Sequence, residues 1–407
     1  MRVVVVGGGA AGVFAALAAK EHHPGAEVVV LEKSDKLLAK VRISGGGRCN
    51  VTHACADIRK LAAGYPRGGR FLRRAFRSFA VPDTIAWFLA RGVVLKTEDD
   101  GRMFPVTDDS ATIADCLLGE AERAGVRIRT RSGVAACAVD ATGGDRAFEL
   151  SLTDGGTLLA DRLIVAAGGH PKPEAYAWLA AMGHRIVPPV PSLFTFNMPD
   201  EPVRALMGTV ADPVRVRIAG GSDEATGPLL VTHWGMSGPA VLRLSAWSAR
   251  RVHAMGYRFT AQLNWLGGVN EEEVRGRIAE MVRTTPRRTL ANADRFGLPK
   301  RLWAFLLDKA GIPVDRTLDA LPRKERDRLA DILTNDRYAV RGKTTFKEEF
   351  VTAGGVSLDE VDPATMRSLR VPGLSFAGEV LDIDGITGGY NFQAAWTTGH
   401  IAGRSAG

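Results

Sequence analysis

Four cysteines in 407 residues, Cys49, Cys55, Cys116 and Cys137, are too few to brace a disulfide-built fold. No two of them form C-x-x-C, which excludes a dithiol redox centre. The absence of H-E-x-x-H and of any paired cysteine/histidine set leaves no metal site to expect. Repeats and low-complexity tracts are also lacking. The one long uncharged apolar stretch, Val3–Ala19, follows Arg2 as a secretion signal would, but three consecutive glycines disfavour the helix a signal needs. No cleavage pattern follows before Lys20 and Glu21. No other run is long enough to cross a bilayer, so a protein of the reducing cytoplasm, without membrane partners, is expected.

What is present begins at the N-terminus. Four valines, Val3–Val6, run into Gly7, Gly9 and Gly12, followed by a helical run over Ala10–Lys20 and a second strand, Glu27–Leu31, that ends at Glu32. Gly7 permits a tight turn, Gly9 lets backbone approach a pyrophosphate, and Gly12 lets the helix pack closely on the strand. The helix N-terminus, at Ala10 and Ala11, offers N–H groups and a positive dipole end to phosphates. Glu32, with Lys33 beside it, is placed to hold an adenosine ribose through its hydroxyls. No second G-x-G-x-x-G follows a strand, so two dinucleotide domains are not expected, and any nicotinamide reductant would dock transiently.

The far end carries a second constellation, FAGEVLDIDGITGGYNFQAAWTTG at Phe376–Gly399. It reads as a short buried strand ending in Gly378 and Glu379, then a loop, then a helix beginning near Tyr390. Glu379 is the candidate to accept hydrogen bonds from a flavin's ribityl chain. Gly388 and Gly389, with Tyr390 and Asn391, would bring a helix N-terminus against the flavin pyrimidine edge, where its dipole stabilises negative charge on reduction. SGGGRCN at Ser44–Asn50 adds a second cofactor loop, because Gly45, Gly46 and Gly47 let backbone pass close to a ring or phosphate, flanked by Ser44, Arg48 and Asn50. Gly168 ends a strand, ADRLIVAAGG, of the kind that returns to the sheet beside the dinucleotide.

Two residues are candidate proton donors. Cys49 could act as a general acid beside a flavin, although small buried cysteines mostly serve packing. His233, in GPLLVTHWGMSGPAVLRLS, titrates near neutral pH and sits in a glycine-rich turn between apolar segments.

The length suits two or three domains, and 45% apolar content is ordinary for a globular chain. Ser110 is the expected cap of a helix over Ala111–Ala124. Prolines at Pro188, Pro189 and Pro191 mark a crossing into a β region, and amphipathic helices follow from about Asn270 to Arg337. Net charge is +8, concentrated in Arg67, Arg70, Arg73, Arg74 and Arg77 with Phe71, Phe76 and Phe79 among them. That segment either docks on RNA phosphates with aromatics free to stack, or forms a helix with a solvated basic face and a phenylalanine core face.

Taken with ISGGGRCNVTH, GRMFP, GPLLVTHWGMSGPA and VTAGGV, these motifs make the chain resemble, over nearly its whole length, the aminoacetone oxidase-like or BaiN-like (bile-acid reductase-like) NAD(P)/FAD-dependent oxidoreductases. The resemblance implies an α/β fold: a discontinuous Rossmann-like FAD-binding domain at 1–190 and 338–407, an inserted β-barrel-like domain at 191–268, and a helical subdomain at 269–337. It implies FAD as cofactor and NAD(P)H as reductant. Members are associated with reduction of unsaturated small molecules, with oxidase activity, and with reduction of uridine to dihydrouridine in rRNA. Arg367 stands in TMRS where the family often has glutamate, so no role is carried over to it. The leading expectation is hydride transfer through flavin N5 to an unsaturated substrate. The rivals are an rRNA-modifying flavoenzyme recruited by the arginine segment, and a non-enzymatic flavin sensor.

Overall fold

A computed structural model describes residues 1–139, 147–344 and 351–407. The chain divides into two compact units, one formed by Met1–Ser192 with Phe346–Gly407 and the other by Leu193–Thr345.

The first unit is organised by a five-stranded, all-parallel sheet. Its first strand, β1 (Arg2–Val6), leads into helix α1 (Ala10–His22), and β2 (Glu27–Leu31) returns alongside β1. Strand Arg162–Val165 pairs on the other side of β1, Leu374–Phe376 pairs beyond it, and Arg127–Arg129 closes the far edge next to β2. Val3–Val6 and Val28–Leu31 are buried, as continuous β-branched runs must be in a parallel sheet covered on both faces.

The C-terminal helix, Tyr390–Arg404, packs along α1 at a distance only glycine permits. A Cβ at Gly399 would lie 2.6 Å from the Ala11 carbonyl oxygen, and one at Gly403 would lie 2.2 Å from that of Ala15. Alanines on α1 and glycines on its partner thus bring the two chain ends into one layer.

Helix Ser110–Arg123 starts one residue earlier than the sequence pattern predicts, and its cap is Asp109, whose carboxylate accepts the Ala111 N–H at 2.8 Å. Ser110 instead donates its hydroxyl to the Arg42 carbonyl at 2.6 Å. The charged acceptor takes the helix end, and the hydroxyl ties the helix to the segment before the Ser44 loop.

Pro188, Pro189 and Pro191 lie within strand Ile186–Ser192, which pairs antiparallel with Val351–Val356 inside the first unit. The register shifts between Val187 and Val190, where two prolines can offer no ladder N–H. The first unit therefore runs through Ser192.

The second unit holds a seven-stranded sheet. In sheet order its strands are Asp336–Arg341, Arg258–Asn264, Val210–Ile218, Glu224–Thr232, Gly235–Ser237, Thr195–Asn197 and Lys343–Thr344. Helices Glu271–Thr284, Lys300–Lys309 and Arg323–Asn335 turn Val274, Ile278, Leu302, Leu306, Leu329 and Leu333 into the same core as Phe196, Val216 and Leu263. Sheet and helices thus form one unit where the sequence suggests a β region and a separate helical subdomain. Strand Asp336–Arg341 buries Asp336, Tyr338 and Val340 here, so the boundary expected between 337 and 338 falls within a strand of this unit. Of the stretch 338–407 expected to return to the first unit, residues 345–350 lie outside the described residues.

Candidate functional site

The turn between β1 and α1 shows three different glycine environments. Gly7 adopts a φ of 113°, and a Cβ there would strike the Ala166 carbonyl oxygen at 2.3 Å. Gly12 lies so close to the turn that a Cβ would be 1.9 Å from the Gly7 carbonyl oxygen. Gly9, at the helix start, has nothing within 4 Å of its Cβ position. Strand, turn and helix are therefore locked together at Gly7 and Gly12, while Gly9 faces open space. The first turn of α1, with Ala10 and Ala11, carries no acidic residue. Its N-terminal N–H groups and positive dipole end are of the kind that favours an anion.

Glu32 ends β2 and is fixed from both sides. Its Oε2 accepts the Gly8 N–H at 2.8 Å, and its Oε1 accepts the Ser34 N–H and hydroxyl at 2.9 Å. Oε1 is thereby filled, while Oε2, with one donor, retains acceptor capacity for a ribose hydroxyl. Lys33 beside it is exposed.

The Ser44–Asn50 segment breaks the helix that precedes it. Ser44 is extended at ψ 151°, and Gly45, Gly46 and Gly47 take φ of 60°, 71° and 86°. Gly45 abuts the Phe104 ring, whereas the Cβ positions of Gly46 and Gly47 are open. Arg48 stacks 3.9 Å over Phe104 and pairs with Glu98 at 2.6 Å and Asp108 at 3.4 Å, which pins the loop's far side. Cys49 is fully buried, and burial pushes its thiol up to about 12. A thiol so enclosed and so weakly acidic is a poor proton donor.

Asn50 links this loop to the C-terminal helix. Its amide oxygen accepts the Gly389 N–H at 3.0 Å while its nitrogen donates to the Thr52 carbonyl at 3.1 Å. Gly388 and Gly389 take φ of 112° and 93°, and a Cβ at Gly389 would collide with Thr52 backbone at 2.3 Å. Tyr390 opens the helix, stacked on His53 with ring centroids 4.8 Å apart, and its carbonyl accepts the Tyr65 hydroxyl at 2.6 Å. Asn391 closes the preceding loop through Gly385, accepting its N–H at 2.8 Å and donating to its carbonyl at 3.1 Å. One turn on, fully buried Gln393 accepts from Thr52 at 2.6 Å and Thr84 at 3.0 Å and donates to Thr397 at 3.1 Å.

Glu379 lies in the turn Gly378–Val380 just after strand Leu374–Phe376. Its Oε1 accepts the Thr352 N–H and its Oε2 accepts the Lys40 ammonium, both at 2.7 Å. Gly378, at φ 72°, packs against Ala11 on α1 and donates its N–H to Thr398 at 2.8 Å. Gly168 has φ 72° and open space at its Cβ position. In this one unit the structure thus assembles the α1 turn, the Ser44 loop, Gly168, Glu379 and the Gly388–Asn391 helix start. Lys40 and Thr352 join them through Glu379; Thr352 lies in the VTAGGV motif without having been singled out there, and Lys40, 339 residues from Glu379, has no motif of its own.

The remaining sequence candidates fall elsewhere. His233 belongs to the second unit, exposed in the two-residue turn between strands Glu224–Thr232 and Gly235–Ser237, its ring edge-on to Trp234 at 4.5 Å. Arg67 is not a surface residue: its guanidinium grips fully buried Asp384 through two nitrogens. Arg70, Arg73, Arg74 and Arg77 are exposed, and only the first three lie on helix Gly69–Ala75 or within its span. Phe71, Phe76 and Phe79 are buried, so no aromatic of this segment is free to stack on a base. Arg367 binds the Ser405 and Gly407 carbonyls at the end of the chain.

Comparison with known proteins agrees with this architecture. The family model described as HI0933-like protein Rossmann domain matches residues 1–405. A 3-dehydro-bile acid delta(4,6)-reductase of Clostridium scindens is 30% identical over 413 residues, covering 100% of this chain and 98% of that protein. A ribosomal RNA dihydrouridine synthase of Escherichia coli is 32% identical over 405 residues, covering 97% and 95%. Among solved structures, a 3-ketosteroid-delta4-(5alpha)-dehydrogenase of Rhodococcus jostii matches with a TM-score of 0.52 at 15% identity, covering 99% of this chain and 96% of that one, a likeness of fold.

Proposed function

The chain belongs to the HI0933-like Rossmann family and is an FAD-dependent oxidoreductase, and from that premise we propose that it uses NAD(P)H to reduce a carbon–carbon double bond in a small unsaturated substrate. The observation that supports this reading most is the gathering of both chain ends in one unit. Gly378, beside Glu379, packs against Ala11 next to the open Gly9 turn, and Gly389 packs against Asn50 and Thr52 at the end of the Ser44 loop. FAD, when bound, supplies two-electron chemistry, taking hydride from the nicotinamide and giving it to carbon.

The chain's own residues would then divide the work. Gly7, Gly9, Ala10, Ala11 and Gly12 hold the pyrophosphate, Glu32 the adenosine ribose, and Glu379 with Gly168 and Gly378 the ribityl chain. Ser44–Asn50 and Gly388–Asn391 line the ring half, with the helix dipole at Tyr390 favouring negative charge there. The fit rests on open space at Gly9, Gly46 and Gly168 and on the buried Thr352 hydroxyl, which has no hydrogen-bond partner among the described residues. The enclosed Cys49, its thiol pushed up to about 12 by burial, is not the proton donor to substrate in this reading, and exposed His233 belongs to the second unit. All four cysteines are free thiols, which suits a reducing cytoplasm, and among the described residues no helix is long and apolar enough to cross a membrane.

A second reading is favoured by one observation. Arg70, Arg73, Arg74 and Arg77 are exposed and form no ion pair among the described residues, whereas most other arginines of this unit do, and one relative acts on ribosomal RNA. Such a face would recruit RNA through phosphate contacts alone. Anaerobic stopped-flow reduction by NADPH and NADH, with and without rRNA, separates the two. Fast bleaching without RNA supports the small-molecule reductase; turnover only with rRNA, binding of which falls steeply with salt, supports the second.

A further inference from the structure

Glu379 is held in an unusual way for a carboxylate that is to meet a cofactor carrying two phosphates. Both oxygens are engaged before any ligand arrives, Oε1 by the Thr352 N–H and Oε2 by the Lys40 ammonium, each at 2.7 Å. Lys40 reaches it from the segment before the Ser44 loop, 339 residues away. These two donors fix the rotamer and leave each oxygen one further acceptor site.

Thr352 contributes more than its backbone. The residue is fully buried and its hydroxyl has no hydrogen-bond partner among the described residues, a condition that costs free energy unless something completes it. A Cβ at Gly169 would lie 2.5 Å from Glu379 Oε1 and 2.6 Å from Thr352 Oγ1. The two oxygens therefore converge on one bare strip of backbone, and beside it Gly168 borders open space. A carboxylate acceptor and a hydroxyl that both donates and accepts, facing one glycine strip, match a chain of adjacent hydroxyl groups.

Resting on the FAD reading above, we infer that Thr352 and Glu379 together read the polyol chain of the flavin, and that Lys40 is a positioning residue acting through Glu379. Lys40 holds the carboxylate in its accepting orientation and offsets its charge against the cofactor's phosphates. Thr352 supplies the second polyol contact, Gly169 lacks a side chain because the two oxygens occupy its Cβ position, and the open space lies beside it at Gly168.

The test is titration of apoprotein with FAD, and with FAD analogues lacking the 2′-, 3′- or 4′-hydroxyl of the ribityl chain, read by flavin fluorescence. Thr352→Val is expected to weaken FAD binding about five- to tenfold, the equivalent of one lost hydrogen bond. For one of the deoxy analogues, wild type and Thr352→Val should bind alike. Thr352→Ser, which keeps the hydroxyl, should stay within about twofold of wild type. Lys40→Met should weaken FAD roughly tenfold and Lys40→Arg much less, whereas in a Glu379→Gln background Lys40→Met should add under about twofold. Unchanged FAD affinity in Thr352→Val, a loss equal for FAD and all three analogues, a serine variant as weak as valine, or a Lys40→Met effect undiminished in the Glu379→Gln background would overturn the inference. A wild-type protein that takes up no FAD removes the parent reading as well; normal uptake by wild type and every variant sinks this inference alone.

Discussion

Gly9 and Gly12 are the same letter three positions apart, yet their surroundings predict opposite outcomes for the same substitution. Gly12→Ala drives a Cβ into the Gly7 carbonyl and must displace either β1 or α1, so it should destabilise the apoprotein by an amount typical of overpacking, about 1–3 kcal/mol, seen as a lower melting temperature. Gly9→Ala meets nothing, so the apoprotein should melt as wild type does, but FAD affinity should drop at least tenfold because the methyl group occupies the approach to the pyrophosphate. Thermal melts of apoprotein paired with FAD titration separate the two effects. The sequence spacing named both glycines; the difference in what surrounds them appears only when strand, turn and helix are set against Ala166. Cys49 shows the reverse case, where residue type suggested chemistry and burial removes it.

At the scale of elements, the contact between α1 and the C-terminal helix links stability to the site. Gly403→Ala places a Cβ 2.2 Å from the Ala15 carbonyl and should destabilise the protein by about 1–3 kcal/mol, with FAD affinity falling in parallel because α1 presents its N-terminus to the phosphates. The same helix carries His400, whose ring stacks on Phe79 at 4.5 Å. Burial pulls its pKa down to about 4, with Arg404 and His22 adding repulsion and Asp83 opposing. The folded state then binds fewer protons than the unfolded state between about pH 4 and the unperturbed histidine value near 6.5. Its contribution is fully present above that range and is lost as pH falls through it. Wild-type melting temperature should therefore drop from pH 7.5 to pH 5, and His400→Phe, which keeps the aromatic contact, should flatten part of that slope. An unchanged slope would show that other groups dominate the acid response.

At the scale of the molecule, one buried ion pair joins three distant stretches of the first unit. Arg67 leads into helix Gly69–Ala75, Asp384 lies in the loop between Glu379 and Gly389, and Ser192 ends the unit's first segment. Asp384 accepts from Arg67 twice and from the Ser192 hydroxyl at 2.7 Å. Burial raises the Asp384 carboxyl and Arg67 pulls it back, so removing the cation strands a charge with no water to solvate it. Arg67→Met should cost about 3–5 kcal/mol in chemical denaturation, and Arg67→Met with Asp384→Leu should recover much of it. If the single variant melts as wild type does, the pair does not hold the unit together. The sequence had placed Arg67 among surface arginines because a charge run gives no sign of which member turns inward.

Periodicity and turn chemistry are local properties, and they were enough for the β1-α1-β2 unit, the glycine turn, Glu32, the Ser44 loop and the start of the C-terminal helix. A strand of four valines, three glycines at fixed offsets and an acid at the strand end carry their meaning within about thirty residues. The basic face with a phenylalanine interior was also legible as one of two readings, and burial of Phe71, Phe76 and Phe79 removes the stacking aromatics of the other. Tertiary structure alone decided the rest. Lys40 meets Glu379, Thr352 meets Gly169, and the helices of the second unit share a core with its sheet because of packing between segments far apart in the chain. No local pattern encodes those pairings, since each residue involved has the same neighbours in sequence whichever way the chain closes.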